Sequence, residues 1–235
     1  MKKILLVGVA LLFSAMALSA GDVATFVDKG FSEDGKYYVF GQYGRTDKKF
    51  QGWAEIYQVD IAKNDFVSGG VFKTKPSAVT ADKNGAEVYE ALEAKSYYYL
   101  KNLNCKKADP NQVLYICDDV NKSGTDKIVF KDFNGSEIDS PNTFNIQLVP
   151  TFSGYGKNVK SSFYIMVEKK DADQNLISRT QVGSPDVVRS GVSGYKIEKI
   201  MCDKTEHNFI FVVEKTVEDE DGVSIRYMIE TAVIK

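Results

Sequence analysis

The chain has one histidine, one tryptophan, five prolines and three cysteines among its 235 residues, and each shortage excludes something. With His207 alone, any serine–histidine or cysteine–histidine nucleophile system must run through that one imidazole, and no HExxH cluster is there to hold a catalytic metal. Cys105, Cys117 and Cys202 include no CxxC pair, which argues against a structural zinc site. SGYGKN contains Gly156-Lys157 but lacks the earlier glycine and the hydroxyl residue of a phosphate loop. DADQN starts as a calcium loop does, with Asp171, Asp173 and Asn175 at alternate positions. Leu176 then stands where a helix-loop-helix site needs glycine, and Val182 where it needs glutamate. The sequence therefore implies no metal and no cofactor. Past residue 20, no stretch approaches the roughly 18 apolar residues of a membrane helix.

Charge of one sign is also missing. Thirty Lys and Arg face 32 Asp and Glu, a formal net charge of −2. An interspersed, mildly acidic balance argues against a nucleic-acid groove or a polybasic membrane face. Asp118-Asp119 and the acidic run 218–221 read as solvated turns.

What is present begins with MKKILLVGVALLFSAMALSA: two lysines, an apolar run from Ile4 to Ala17, then small residues. This is the pattern of a secretory signal peptide over residues 1–20, cut after Ser19 or Ala20. It implies a periplasmic or secreted protein with no membrane span after cleavage. Loss of Lys2 and Lys3 takes the net charge to −4. Residues 21–235 are enough for a single β-rich domain whose core needs no staples.

From Val23 onward, short stretches rich in Tyr, Phe, Val and Ile alternate with turns, the signature of strands. In VSIRYMIETAVIK, Ile225, Tyr227, Ile229 and Val233 alternate with Ser224, Arg226, Met228 and Glu230, and NFIFVVEKT is the expected partner across the EDEDG turn. SSFYIMVEKKDADQNLISRTQV repeats the design, with Phe163, Ile165 and Val167 on one face. NQVLYICDD and DKIVFKDF read as shorter strands, then FNGSE as a turn and NTFNIQLVP as a strand. One segment has helical spacing instead. Val88, Tyr89, Leu92, Ser96, Tyr99 and Leu103 predict a packed amphipathic helix over about 85–103, with Asn84 and Glu87 as a capping pair. It is the one candidate divider within the domain. Tyr99 belongs to its buried stripe, and Tyr97 or Tyr98 to its exposed side.

In an exported chain the cysteines sit where disulfides are permitted. CKKADPNQVLYIC has an Asp109-Pro110-Asn111 turn signal near its middle, so a hairpin could bring Cys105 opposite Cys117. That bridge would contribute about 3 kcal/mol, leaving Cys202 outside it. Two buried thiols are the alternative.

FSEDGKYYVF followed by AEIYQVD resembles the TolB-type β-propeller repeat, in which a Phe-Ser-Pro-Asp-Gly turn feeds one strand and an Ile-Tyr-hydrophobic-Asp strand follows. Glu33 replaces the proline. The nearest further copy, IEKIMCDKTEHNFIFVVEKT with SIRYMIET, keeps the order but not the Phe-Ser or the Gly. About a dozen strands make about three blades, fewer than a closed propeller needs. The expected fold class is therefore mainly β: antiparallel hairpins in a propeller-like or a sandwich-like assembly with one packed helix. Taken whole, with GFSEDGKYYVFGQYG, the central helix and DGVSIRYMIET, the chain resembles an uncharacterised family of predicted secreted bacterial proteins. That resemblance implies export and a β-rich fold and carries over no catalytic residue.

Without an assembled catalytic set, the expected function is non-catalytic: an exported binding or envelope-accessory protein, with an envelope protein or a polysaccharide as partner. Tyr43, Trp53, Tyr97 and Tyr98 are the candidate exposed aromatics of a binding face. Two alternatives stand. One is a carboxylate-dependent envelope hydrolase acting on carbohydrate or peptide, which requires a pocket of perturbed carboxylates. The other is a structural domain of an envelope complex.

Overall fold

The computed structural model describes residues 22–118, 124–125, 127–131, 141–220 and 222–234, so the signal segment, Asp119, the FNGSE turn and Asp221 lie outside the described residues. The chain opens with a four-stranded antiparallel meander of β1 (Thr25–Phe31), β2 (Tyr37–Arg45), β3 (Gly52–Asp60) and β4 (Asp65–Thr74). Helix α1 (Gly85–Leu100) follows, then β5 (Val113–Ile116). A second sheet holds β6 (Ile128–Lys131), β7 (Thr143–Ser153), β8 (Lys160–Lys170), β9 (Leu176–Val182) and β10 (Arg189–Ser190). Beyond these come β11 (Val192–Cys202), β12 (Asn208–Asp219) and β13 (Gly222–Val233), which pair in the order β13-β12-β11-β5.

This last sheet is central because both of its faces are covered. Along β12, Phe209, Phe211 and Val213 pack with Phe163, Ile165 and Val167 of β8, while Ile210 and Val212 pack with Phe40, Tyr57 and Val59 of the first sheet. The uninterrupted run FIFVV follows from this: a strand apolar on both faces shows no alternation. β11 changes faces twice through bulges at Val192/Gly194 and Ile197/Lys199, so Tyr195 and Ile197 share a core with Ile200 and Cys202 despite their opposite parity. The first sheet is covered on its other side by α1, where Val39, Ala54 and Ile56 meet Val88, Tyr89 and Leu92. The layers are therefore helix, sheet, sheet, sheet. The sandwich-like assembly is what forms. The propeller-like expectation is corrected, because no sheet closes among the described residues and the helix occupies the face on which a further blade would pack.

The stretch that resembled a propeller repeat is the turn between β1 and β2. The Ser32 amide donates to the Tyr37 carbonyl (2.8 Å), the Tyr37 amide donates to Ser32 Oγ (2.9 Å), and Ser32 Oγ–H donates to Asp34 Oδ1 (2.7 Å). Gly35 takes φ +68°, where glycine pays no Cβ penalty. Phe31 tucks beneath, edge-on to Tyr38. The turn before β12 is built alike: the Asp203 amide donates to the Asn208 carbonyl (3.1 Å), and Asp203 Oδ1 accepts from the Asn208 amide (3.3 Å). Asn208 Nδ2 then ties the two turns together by donating to Asp203 Oδ2 (2.8 Å) and to the Gly35 carbonyl (3.2 Å).

The edge of the central sheet at β13 is closed by substitutes for a strand. The Ile225 amide donates to the Asp22 carbonyl, the Tyr227 amide to Gln42 Oε1 (2.8 Å), and the Thr231 amide to Asn64 Oδ1 (2.6 Å). Beside it, Glu55 accepts from Tyr57 Oη (2.5 Å) and Gln42 Nε2 (2.9 Å) and pairs with Lys73 (3.0 Å). Burial alone would raise the Glu55 carboxyl; Tyr57, Lys73 and Gln42 together outweigh burial and hold it below its ordinary value.

Candidate functional site

Helix α1 starts on the expected capping box: Asn84 Oδ1 accepts from the Glu87 amide (2.8 Å) and the Asn84 amide donates to Glu87 Oε2 (3.0 Å). Val88, Tyr89, Leu92 and Ser96 form its buried stripe. A 3₁₀ turn over Lys101–Leu103 continues it, and Asn104 ends it in the left-handed region at φ +46°. The stripe does not extend to Tyr99, which is 60% exposed: the last turn of the helix sits over β4, where Tyr99 meets the edge of Phe72 (5.5 Å) and the side-chain-free Gly69.

Three consecutive tyrosines therefore stand in solvent at the C-terminal end of α1. Tyr97 and Tyr98 lie edge to face at 5.6 Å, and Lys101 Nζ sits 4.8 Å from the Tyr98 ring and 6.0 Å from that of Tyr97. That cation braces the pair from one side. Next to them is an open cleft of about 460 Å³ between α1 and β1, whose lining includes Tyr97, Leu100, Lys101, Asn104 and Cys105. An ion pair between Lys29 and Glu93 borders it. Asp28 also reaches the cleft but is committed to the Tyr38 hydroxyl (2.8 Å) and Lys199 (3.3 Å). Burial pushes the Cys105 thiol up to about 11, so it stays protonated at neutral pH and is no nucleophile.

The other two candidate aromatics lie elsewhere. Trp53 is 4% exposed, which corrects its expected exposure: its Nε1–H donates to Asp22 Oδ2 (2.8 Å), and the Arg226 guanidinium covers its ring at 4.1 Å. Arg226 in turn pairs with Asp22 at 2.6 Å, so the single tryptophan helps to clamp the segment before β1 to β13. Tyr43 is half-buried against Tyr89 (5.4 Å).

Cys105 and Cys117 carry thiols in the structure. The hairpin that would oppose them is replaced by a 3₁₀ turn at Pro110–Gln112, after which β5 leaves to pair with β11. Cys105 remains near the first sheet, where Lys106 bridges to Phe31. Cys202 is buried, with its thiol 3.7 Å from the Gln112 carbonyl oxygen.

Among the described residues, neither the cleft beside the tyrosines nor the one between the two linked turns gathers the groups a hydrolase would use; the neighbouring carboxylates Glu198 and Glu214 lie instead on β11 and β12, where Lys196 pairs with both. Asp34 and Asp203 line a cleft of about 390 Å³ between the two linked turns, but both carboxylates accept hydrogen bonds within their own turns. The Ser32 hydroxyl, followed by the Lys36 amide, holds Asp34 below its ordinary value. His207 lines neither this cleft nor the one beside the tyrosines; its Nδ1 is 3.1 Å from the Ile234 carbonyl oxygen. Asp171 closes its own turn, accepting from the amide and side chain of Asn175. Among the described residues no group of three or more His, Cys, Asp or Glu is placed to hold a metal ion, and no helix is long and apolar enough to cross a membrane.

The model of a family described as "predicted secreted protein", DUF2259, matches residues 39–232, which is most of the chain and includes α1 and every strand from β3 onward. The chain belongs to DUF2259. Nothing among curated proteins and nothing among solved structures matches it. The DUF2259 match agrees with the export expected from residues 1–20 and assigns no activity, so the cleft beside the tyrosines must be judged on its own geometry.

Proposed function

We propose that this DUF2259 protein is an exported, non-catalytic binding protein whose recognition face is Tyr97 and Tyr98 with the cleft beside them, and that its partner is an envelope polysaccharide. The observation that supports this reading is the exposure of Tyr97 (57%), which lines a cleft bordered by Lys29, Glu93 and Asn104, and of Tyr98 (77%), whose ring lies edge to face with it. Flat rings offer stacking surface to sugar faces, while amide and charged groups next to them can bond hydroxyls. Scattered exposed aromatics need no explanation, but adjacent rings braced by a cation, one of them lining a cleft, are a surface of a different kind.

The test is retention of the purified protein on envelope polysaccharide. Each ring contributing about 0.5–1.5 kcal/mol, the Tyr97→Ala, Tyr98→Ala double variant is expected to lose about tenfold or more in affinity. Tyr155→Ala is the control, since Tyr155 is 93% exposed on the β7–β8 connection. Equal retention of the double variant and the wild type would refute the assignment of the face. If the protein is recovered only with an envelope protein, and the tyrosine variant still captures it, the structural-domain alternative is favoured instead.

A further inference from the structure

A second cleft, of about 640 Å³, opens beside β13 between the β3–β4 turn and the segment that joins β9 to β10. That volume is ordinary for a small-molecule site. Two charges stand within it. Glu230 is only 6% exposed; its Oε2 accepts from Asn64 Nδ2 (2.5 Å), and its Oε1 lies 3.5 Å from Arg189 Nη2. Arg189 is held in place from elsewhere, with its guanidinium 4.9 Å from the Phe163 ring and its Nη1 donating to the Val187 carbonyl (3.2 Å).

A charge-assisted hydrogen bond between such groups is about 2.7–2.9 Å long. At 3.5 Å the acid and the guanidinium form a salt bridge longer than such a hydrogen bond, which leaves lone-pair capacity on the acid and N–H capacity on the guanidinium for a group of the opposite sign. Burial, the largest influence on the Glu230 carboxyl, pushes it up against the opposing effects of Asn64 and Arg189. The charges at the rim are committed: Lys63 pairs with Asp60 (3.1 Å), and Asp65 Oδ1 accepts from the Phe66 amide (2.7 Å). The approach is kept open by Gly183, where a Cβ would lie 3.1 Å from Glu230 Oε2. Apolar surface lies alongside. Phe66, stacked on Tyr57, is 46% exposed and Val187 is 50% exposed, and both line the cleft.

We propose that this cleft is a binding site for a small zwitterion of the α-amino acid class, its ammonium on Glu230, its carboxylate on Arg189 and an apolar side chain against Phe66 and Val187. The site is separate from the tyrosine face and does not depend on it.

Isothermal titration of the purified protein with leucine and with phenylalanine, each to about 10 mM, tests the proposal, with N-acetyl-leucine and leucine methyl ester as probes that each lack one charge. The expected result is saturable binding of a free amino acid and at least about tenfold weaker binding of both blocked forms, because a blocked charge leaves its partner unpaired. Glu230→Gln removes a charge that burial disfavours and keeps an acceptor for Asn64; it is expected to fold and to lose at least about tenfold in affinity. Should it fail to fold, Val187→Asp on the exposed rim is expected to produce the same loss by setting a charge against the ligand side chain. No binding of either amino acid, or equal binding of the blocked forms, overturns the proposal.

Discussion

Phe211→Ala is expected to destabilise the protein by about 3–5 kcal/mol, and Ile210→Ala, one residue before it, by about 2–5 kcal/mol. Both side chains are 0% exposed, and they point to opposite faces of β12. Phe211 packs with Phe163 and Ile165 of the second sheet, and Ile210 with Tyr57 and Val59 of the first sheet. In a two-layer sandwich one of two successive residues faces solvent, and truncating it changes stability by about 0.5 kcal/mol or less. Urea denaturation of the two variants, with slopes matching the wild type, separates these outcomes.

Gly30→Ala is expected to cost about 4 kcal/mol or more, in the range of changes with a specific structural cause. Gly30 follows a bulge in β1 and takes φ +98°, so any other residue there is strained. A Cβ at this position would also lie 2.0 Å from the Lys106 carbonyl oxygen. That segment cannot yield locally. The Phe31 amide donates to the Lys106 carbonyl (2.9 Å) and the Lys106 amide to the Phe31 carbonyl (2.8 Å), which fastens the exit of α1 to the first sheet. Thermal unfolding of the variant, compared with Gly35→Ala at a position where the nearest atom would be 3.4 Å away, separates the clash from the backbone strain that both share.

The features that could be read from the sequence are those set by local chemistry. Asn84 and Glu87 announced the helix start because a capping box involves residues three apart, and Asn104 ended the helical segment within the expected bounds. Phe163, Ile165 and Val167 alternate cleanly because the second sheet, β6 to β10, packs its core on one face only. Layer order was not legible. In β12 and β13 both faces are covered, so the residues opposite Ile229, among them Glu230, are as buried as the apolar set, whereas Val233 of that set is 46% exposed. Ile56 and Val59, in the one short stretch AEIYQVD, both reach a core, but on opposite faces of the first sheet.

The sites were less legible than the fold. Tyr97 and Tyr98 could be placed on the exposed side of a helix, but the cleft beside them depends on how α1 meets β1, which pairs residues more than 60 positions apart, as in the contact of Lys29 with Glu93. Trp53 was misplaced because its burial depends on Arg226 and Asp22, remote in the chain. Glu230 had no signal at all. It occupies a polar position in an alternating strand, and only the arrival of Asn64 and Arg189 from two other sheets makes it unusual.

The account rests on β12 lying inside a stack of three sheets. Native-state hydrogen exchange measures this directly, residue by residue. The account predicts that the amides of Phe209, Ile210, Phe211, Val212 and Val213 exchange only through global unfolding, while those of β9, an edge strand with Leu176 and Ile177 about half exposed, exchange faster through local opening. Exchange of the β12 amides at the rate of β9 would contradict it.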